Sequence, residues 1–217
     1  MQWDSTYKAD GLVWGDKPSE LAVFAVRYLN EFSPPDKILE IVDVGCGYGR
    51  DAAFLSASVS CHVLGIDNSR EAIALAMKRL GGVVGGVRFQ CCDFRQMTDS
   101  RFDVIFASNL YQLLASEDRR AFRELVGRAL KSGGMLFLST LSTSDPEHFG
   151  KGEPVPDDEN SFRDENFHHF CTAEELARDF GFLSLKQLYE HEYYEARSNG
   201  ATHHHVSWLL LGVRQPR

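Results

Sequence analysis

A doubly wound α/β fold is predicted by three features of this 217-residue sequence. Short apolar runs alternate with amphipathic stretches from position 38 to 140, as parallel βαβ units do. Glycines follow the first of those runs, where a strand would turn into a helix. Two strand-like segments joined around Asn199-Gly200 close the chain as a hairpin.

In order, Asp16-Lys17-Pro18 opens a helix that runs to about Glu31, and Ser33-Pro34-Pro35 ends it. Residues 38–44 form the first strand, and a helix begins near Arg50. Residues 62–66 are the second strand. A helix over 69–80 follows, for which Asn68 and Glu71 supply the start signal. Residues 87–90 and 102–106 are the third and fourth strands. A helix over 116–130 leads through Lys131-Ser132-Gly133-Gly134 into a fifth strand, 135–139. The rhythm breaks over 141–169, where Pro, Asp, Glu and Gly accumulate without a sustained period. A structureless stretch this long reads as a lid or binding loop. Thr172 and Glu175 have capping-box spacing and open a short helix to Phe180; strands over 182–191 and 202–213 complete the chain.

Composition narrows the function. With 43% hydrophobic residues the chain is globular rather than disordered. At this length it fits one α/β domain with elaborations, large enough to fold without a disulfide or structural metal. Lys plus Arg number 23 against 31 Asp plus Glu, a net charge of −8, which repels phosphate backbones and anionic lipid surfaces. Neither nucleic acid nor a membrane is therefore an expected partner. The cysteines Cys46, Cys61, Cys91, Cys92 and Cys171 are odd in number and lack CxxC pairing, as free thiols in a reducing cytosol would be. The beginning of the chain has no basic region followed by an apolar core, and no window approaches 18 consecutive apolar residues. A cytoplasmic protein is expected.

The strongest signal is Val42-Asp43-Val44-Gly45-Cys46-Gly47-Tyr48-Gly49-Arg50-Asp51. Alternate glycines between strand and helix allow a tight turn and close approach of a ligand to the backbone. The dinucleotide fingerprint is GxGxxG, but here Arg50 stands where its third glycine would be, so a ligand without pyrophosphate is favoured. Asp43, Asp67 and Asp93 all fall at carboxyl ends of expected parallel strands, where open α/β sheets bind ligands. Asp67 can accept from both hydroxyls of a ribose and Asp93 from an exocyclic amine. Three acids suit a cationic nucleoside. Arg50 and Asp51 themselves read as a surface pair.

Five blocks in register carry a resemblance. They are Asp43-Val44-Gly45-Cys46-Gly47-Tyr48-Gly49, Gly65-Ile66-Asp67-Asn68-Ser69, Cys92-Asp93-Phe94, Phe102-Asp103-Val104-Ile105 and Leu130-Lys131-Ser132-Gly133-Gly134-Met135. In order and spacing they resemble the class I S-adenosylmethionine-dependent methyltransferases over 38–140, in their small-molecule type. The resemblance implies a mostly parallel seven-stranded sheet with an antiparallel last strand, and S-adenosylmethionine as cofactor. It implies Gly45 and Gly47 against the methionine part; Cys46 inside the same loop and Asp43 at the strand end are further cofactor-binding candidates. It also implies Asp67 with Asn68 at the ribose, Asp93 and Phe94 around the adenine, and Ser108 and Asn109 near the methionine amine. Trp3, Tyr7 and Trp14-Gly15 are similar to the aromatic amino-terminal segment that folds over the cofactor in such enzymes. Tyr7 and Trp14 are the better candidates, since aromatic faces attract a sulfonium cation.

Methyl transfer requires alignment and exclusion of water, and a base only when the acceptor arrives protonated. Histidines are the candidates. If the sheet has the implied topology, His168, His169, His191 and His203-His204-His205 collect at its carboxyl edge, with His203 and His205 on one strand face. His203 or His205 with His168 or His191 is expected to contact the acceptor as a base or to bind a metal. The residues assigned to catalysis are His203, His205, His168 and Tyr111, and no metal ligand is assigned. The expected organisation is one domain over 1–217. It comprises a cap segment and helix (1–35), a cofactor core (38–140), a lid (141–171) and a helix with the closing hairpin (172–217). The expected activity is in-line methyl transfer to a small-molecule acceptor by a monomer or homodimer. The rival readings are a non-catalytic S-adenosylmethionine-binding module or partner subunit and a nicotinamide-dependent oxidoreductase.

Overall fold

The computed structural model describes residues 2–34, 36–80, 86–97, 101–196 and 202–216, apart from the side chains of 2, 10, 195, 196, 202 and 203. Its strands are β1 (Leu39–Val44), β2 (Cys61–Asp67), β3 (Val87–Cys91), β4 (Phe102–Ser108), β5 (Leu130–Leu141), β6 (Glu153–Pro154), β7 (Ser161–Arg163), β8 (Phe167–His169), β9 (Ser184–Ala196) and β10 (Thr202–Val213). The helices are α1 (Gln2–Asp10), α2 (Glu20–Phe32), α3 (Arg50–Ser58), α4 (Arg70–Arg79), α5 (Ser116–Ala129) and α6 (Ala173–Asp179). One sheet has the order β3-β2-β1-β4-β5-β10-β9. β10 runs antiparallel to both β5 and β9, and the other six strands are parallel to one another. The resemblance implied this sheet.

Both faces of the central strands are apolar because both are covered. Val42, Ile105, Leu136, Leu138 and Leu210 pack with Phe122, Leu125 and Val126 of α5 and Leu176 of α6. The alternate residues Ile41, Val104, Phe106, Phe137, Leu209 and Leu211 pack with Leu21, Ala25 and Leu29 of α2 and Ala52 and Leu55 of α3. Burying these side chains on both faces contributes roughly 1.5–3 kcal/mol each. Among the described residues no helix is long and apolar enough to cross a membrane.

The structure moves several boundaries. α2 starts at Glu20 rather than near Asp16, because Ser19 is its N-cap and accepts from Ala22 N–H at 3.2 Å. Ser69, not Asn68, caps α4 in the same way. The aromatic amino-terminal segment is itself a helix, α1. The stretch 141–169 is not structureless: β6, β7 and β8 form a small antiparallel sheet.

Candidate active site

The carboxyl ends of β1 and β2 bring the glycine loop and its acids to one sheet edge. Gly45 and Gly47 have positive φ, 74° and 54°. A Cβ on Gly47 would lie 2.8 Å from the Tyr7 hydroxyl, and one on Gly45 3.0 Å from Leu110 Cδ1. A side chain at either position is therefore both strained and obstructed. Asp67 braces the loop: Oδ2 accepts from Gly47 N–H at 2.9 Å and Oδ1 from Ser69 N–H at 2.8 Å. Cys46 is buried beside it, while Asn68 is exposed. Asp43 is buried, and its Oδ2 has no hydrogen-bond partner among the described residues. Burial, reinforced by Asp51 and Asp67, pushes the Asp43 carboxyl well above the usual carboxylate range. Burial also raises Asp67 despite its backbone donors. Such acids suit a ligand that brings donors or positive charge.

Asp93 follows β3 and caps the short turn 94–96. Its carboxylate is engaged by Arg95, whose Nε lies 3.0 and 2.9 Å from the two oxygens. Arg95 Nη1 also donates to Asp118 at 2.8 Å. An adenine amine at Asp93 therefore shares its acceptor with a guanidinium, which the sequence did not foretell. Phe94 is half-buried, edge-on to Phe122 at 5.9 Å. At the end of β4, Asn109 adopts φ 55° and donates its N–H to Ser139 Oγ at 3.1 Å. Ser108 Oγ lies 3.4 Å from the same hydroxyl.

α1 lies against this edge. Asp4 accepts from Ser69 Oγ at 2.7 Å, which fastens α1 to the start of α4. Tyr7 is buried, its ring 6.1 Å from those of Trp3 and Tyr48, and its hydroxyl bonds the Trp14 side chain. Tyr48 donates to Gly15 O at 2.8 Å and accepts from Trp14 N–H at 2.9 Å. Arg50 Nη1 donates to Trp14 O at 2.6 Å, and Asp51 Oδ1 accepts from Ser19 N–H at 2.8 Å. Arg50 and Asp51 are thus not a mere surface pair: they hold the amino-terminal segment over the glycine edge.

A second cluster forms where β5 ends and β10 begins. Asp145 Oδ1 lies 3.2 Å from His148 Nδ1, and Oδ2 lies 3.4 Å from His205 Nδ1. The two imidazoles stack at 4.9 Å and 16°. His168, half-buried, is close enough to interact electrostatically with both His148 and Asp145. The other histidines diverge. His169 is buried between Ser161 Oγ (2.9 Å) and Glu175 Oε1 (3.0 Å). His191 lies 3.6 Å from Glu20, and His204 lies 3.4 Å from Glu192 and stacks on Tyr194. His203 belongs to β10, but its side chain lies outside the described ones.

Residues 41–134 match the family model of the methyltransferase domain. Over that stretch the chain is similar to methyltransferase domains. Phosphoethanolamine N-methyltransferase 1 of Arabidopsis thaliana is 31% identical over 107 residues, which is 48% of this chain and 21% of that protein. This chain therefore spans about a fifth of the length of that relative. A methyltransferase structure from Methanosarcina mazei superposes with TM-score 0.73 at 21% identity, covering 88% of this chain and 98% of the other. The 1,6-didemethyltoxoflavin-N1-methyltransferase of Burkholderia thailandensis, with 1,6-didemethyltoxoflavin and S-adenosylhomocysteine bound, gives 0.68 at 17% identity, covering 99% and 86%. These likenesses establish the fold.

Within the matched stretch Tyr111 points away from the sheet edge assigned to it as a catalytic residue. It is fully buried in the α5–α6 layer, and its hydroxyl is taken by Asp179 (2.8 Å) and Arg123 (2.9 Å). The residue initiates packing because Leu110 to Leu114 turn inward after β4. Conversely, sequence reasoning missed Asp145. Its signal was the spacing Asp145-x-x-His148 inside a Ser/Thr/Pro turn, which lets one carboxylate cap the turn and meet the imidazole three residues on.

Proposed function

We propose that the chain is an S-adenosylmethionine-dependent methyltransferase acting on a small-molecule acceptor. The observation that carries this is Asp43, a buried carboxylate with an unpartnered oxygen beside a loop of positive-φ glycines. In this reading Asp67 and Asn68 hold the ribose, and Asp93 and Phe94 flank the adenine. Gly45, Cys46 and Gly47 take the methionine chain, and Asp43, Ser108 and Asn109 its charged end. Tyr7 and Trp14 cover the cationic centre. When bound, the cofactor supplies a methyl carbon on a sulfonium, already activated for in-line displacement.

The chain's own work is alignment and exclusion of water. α1, with Tyr7 tied to Trp14, closes the donor side. In this reading the strands β6–β8 and the start of β10 enclose the acceptor, and His168 and His205 border it. Burial lowers the His168 pKa, so its imidazole is neutral and able to take a proton from an amine, thiol or hydroxyl. The negative surface and enclosing lid favour a compact acceptor over a polyanion.

Calorimetric titration with S-adenosylmethionine and S-adenosylhomocysteine, with NADH as control, tests the reading. Micromolar binding of both and none of NADH is expected. Absence of binding to either removes the proposal and leaves the fold standing.

A further inference from the structure

We infer that Asp145, His148 and His205 form a binding site for one divalent transition-metal ion of the zinc and cobalt class. The ligand-type atoms of the three lie within 4.8 Å of one another. Two imidazoles and one carboxylate are a recurrent ligand set for such ions, with positions left open for a further ligand. Spacing supports the set. Bonds of about 2.0–2.1 Å in tetrahedral directions put ligand atoms about 3.3 Å apart. The two Nδ1–carboxylate separations are 3.2 and 3.4 Å, one imidazole at each oxygen. His148 Nδ1 is within hydrogen-bond reach of Oδ1 at 3.2 Å, and His205 Nδ1 lies just beyond the usual range of Oδ2 at 3.4 Å, so an ion would displace a shared proton at the first contact and fill a looser gap at the second.

The surroundings are built rather than incidental. The Asp145 side chain is fully buried, His205 is 8% exposed and His148 30%. The carboxylate is aimed by backbone donors: Glu147 and His148 N–H reach Oδ1 at 3.1 and 2.8 Å, and Val206 N–H reaches Oδ2 at 3.0 Å. These are the outer-shell bonds that orient a ligating carboxylate. They also pin the end of the β5 connection to β10, so both imidazoles are presented from rigid backbone. Tyr193 packs on the His205 ring at 5.2 Å and fixes its plane. On binding, the ion takes the place between Nδ1 and carboxylate, and each neutral imidazole keeps its proton on Nε2. The set then carries a net charge of +1 in place of −1.

The His169–Cys171–Glu175 group contains similar residue types but lacks this character. Both ring nitrogens of His169 are committed, and burial raises the Cys171 thiol out of the range where it ionises. The metal site stands apart from the donor pocket. Only its use for polarising an acceptor heteroatom rests on the methyltransferase reading.

The test uses the untagged full chain, freed of metal by chelator and dialysis, and titrated with Co(II) while the visible d–d absorption is followed. Zn(II) displacement is then measured by calorimetry. One equivalent should bind, and His148→Gln and His205→Gln should each weaken binding at least about tenfold, with His168→Gln unchanged. His148 is partly exposed, so its variant keeps the question answerable if an Asp145→Asn protein fails to fold. No saturable absorption, or absorption equally strong in both histidine variants, overturns the site. S-adenosylmethionine binding by the same samples is the separating control: donor binding without cobalt binding sinks the metal site alone, and the converse sinks the donor reading alone.

Discussion

Buried acids behave oppositely at the donor edge and in the lid. At the edge, burial raises Asp43 and Asp67 and the protein supplies too few donors to offset it. Around the β6–β8 sheet, burial also acts on Asp158 and on Glu175 of α6, yet the donors of Arg119 and His169 more than offset it and both pKa values fall. Arg119 reaches Asp158 with Nη2 at 2.5 Å and its own helix start with Nη1 at 2.8 Å to Leu114 O. Ser116 N–H joins the same carboxylate at 3.1 Å. Asp158 and Glu175 are thus stabilised by fixed partners, whereas Asp43 and Asp67 are buried at a cost, as the proposed donor site would require.

The largest expected effect breaks the lid side. Arg119→Met leaves Asp158 buried without its cation and should cost about 3–5 kcal/mol. Thermal unfolding should show a fall of roughly 6–20 °C for a chain of this size. If Arg119→Met melts with the wild type, the lid pair is not structural. Next in size, Asp67→Ala removes the brace of Gly47 and Ser69 together with the proposed ribose acceptor. Loss of charged hydrogen bonds at about 1.5–3 kcal/mol predicts a fall in S-adenosylmethionine affinity of roughly ten- to a hundredfold, read by calorimetry.

Asp43→Asn sharpens the contrast because it should act with the other sign on stability. The folded state holds the Asp43 proton more tightly than the unfolded chain does. The fold therefore loses stability as pH rises from the unfolded value, about 4, through the raised folded one. At neutral pH the amide should raise the melting temperature by about 2–4 °C per kcal/mol recovered, while donor affinity falls. A variant that is both less stable and unable to bind would mean that Asp43 is partnered after all. Asp158 and Glu175 titrate in the reverse sense. Their stabilisation is present above about pH 4 and is lost as pH falls through their depressed folded values. Limited proteolysis within 141–171 should therefore rise below about pH 4, and the rise should begin at higher pH in His169→Gln.

The glycine edge was legible in sequence because its constraints are local. Positive φ at Gly45 and Gly47 demands glycine, and a strand-end acid such as Asp67 follows from βαβ periodicity. The rim was less legible because its contacts are distant in the chain. Asp145 meets His205 60 residues away, and Tyr111 meets Asp179 68 away, so neither the new cluster nor the burial of Tyr111 has a periodic signature. Helix α1 escaped for a different reason. Its alternation is weak, and it is held by Asp4, Tyr7 and residues near Trp14 through tertiary bonds rather than by an amphipathic stripe.

Tyr7 separates the two kinds of closure with the smallest change. Its ring packs between Trp3 and Tyr48, while its hydroxyl bonds Trp14 over Gly47. Tyr7→Phe keeps the aromatic face that would attract a sulfonium and removes only one hydrogen bond, worth about 0.5–1.5 kcal/mol. Affinity for S-adenosylmethionine should fall roughly two- to tenfold, and affinity for uncharged S-adenosylhomocysteine by the same factor, because the lost bond is between protein groups. Tyr7→Ala removes the face as well and should weaken the sulfonium ligand more than its neutral counterpart. Equal losses for the two ligands in Tyr7→Ala would show that α1 acts at the proposed donor site by packing alone, with no preference for a cation.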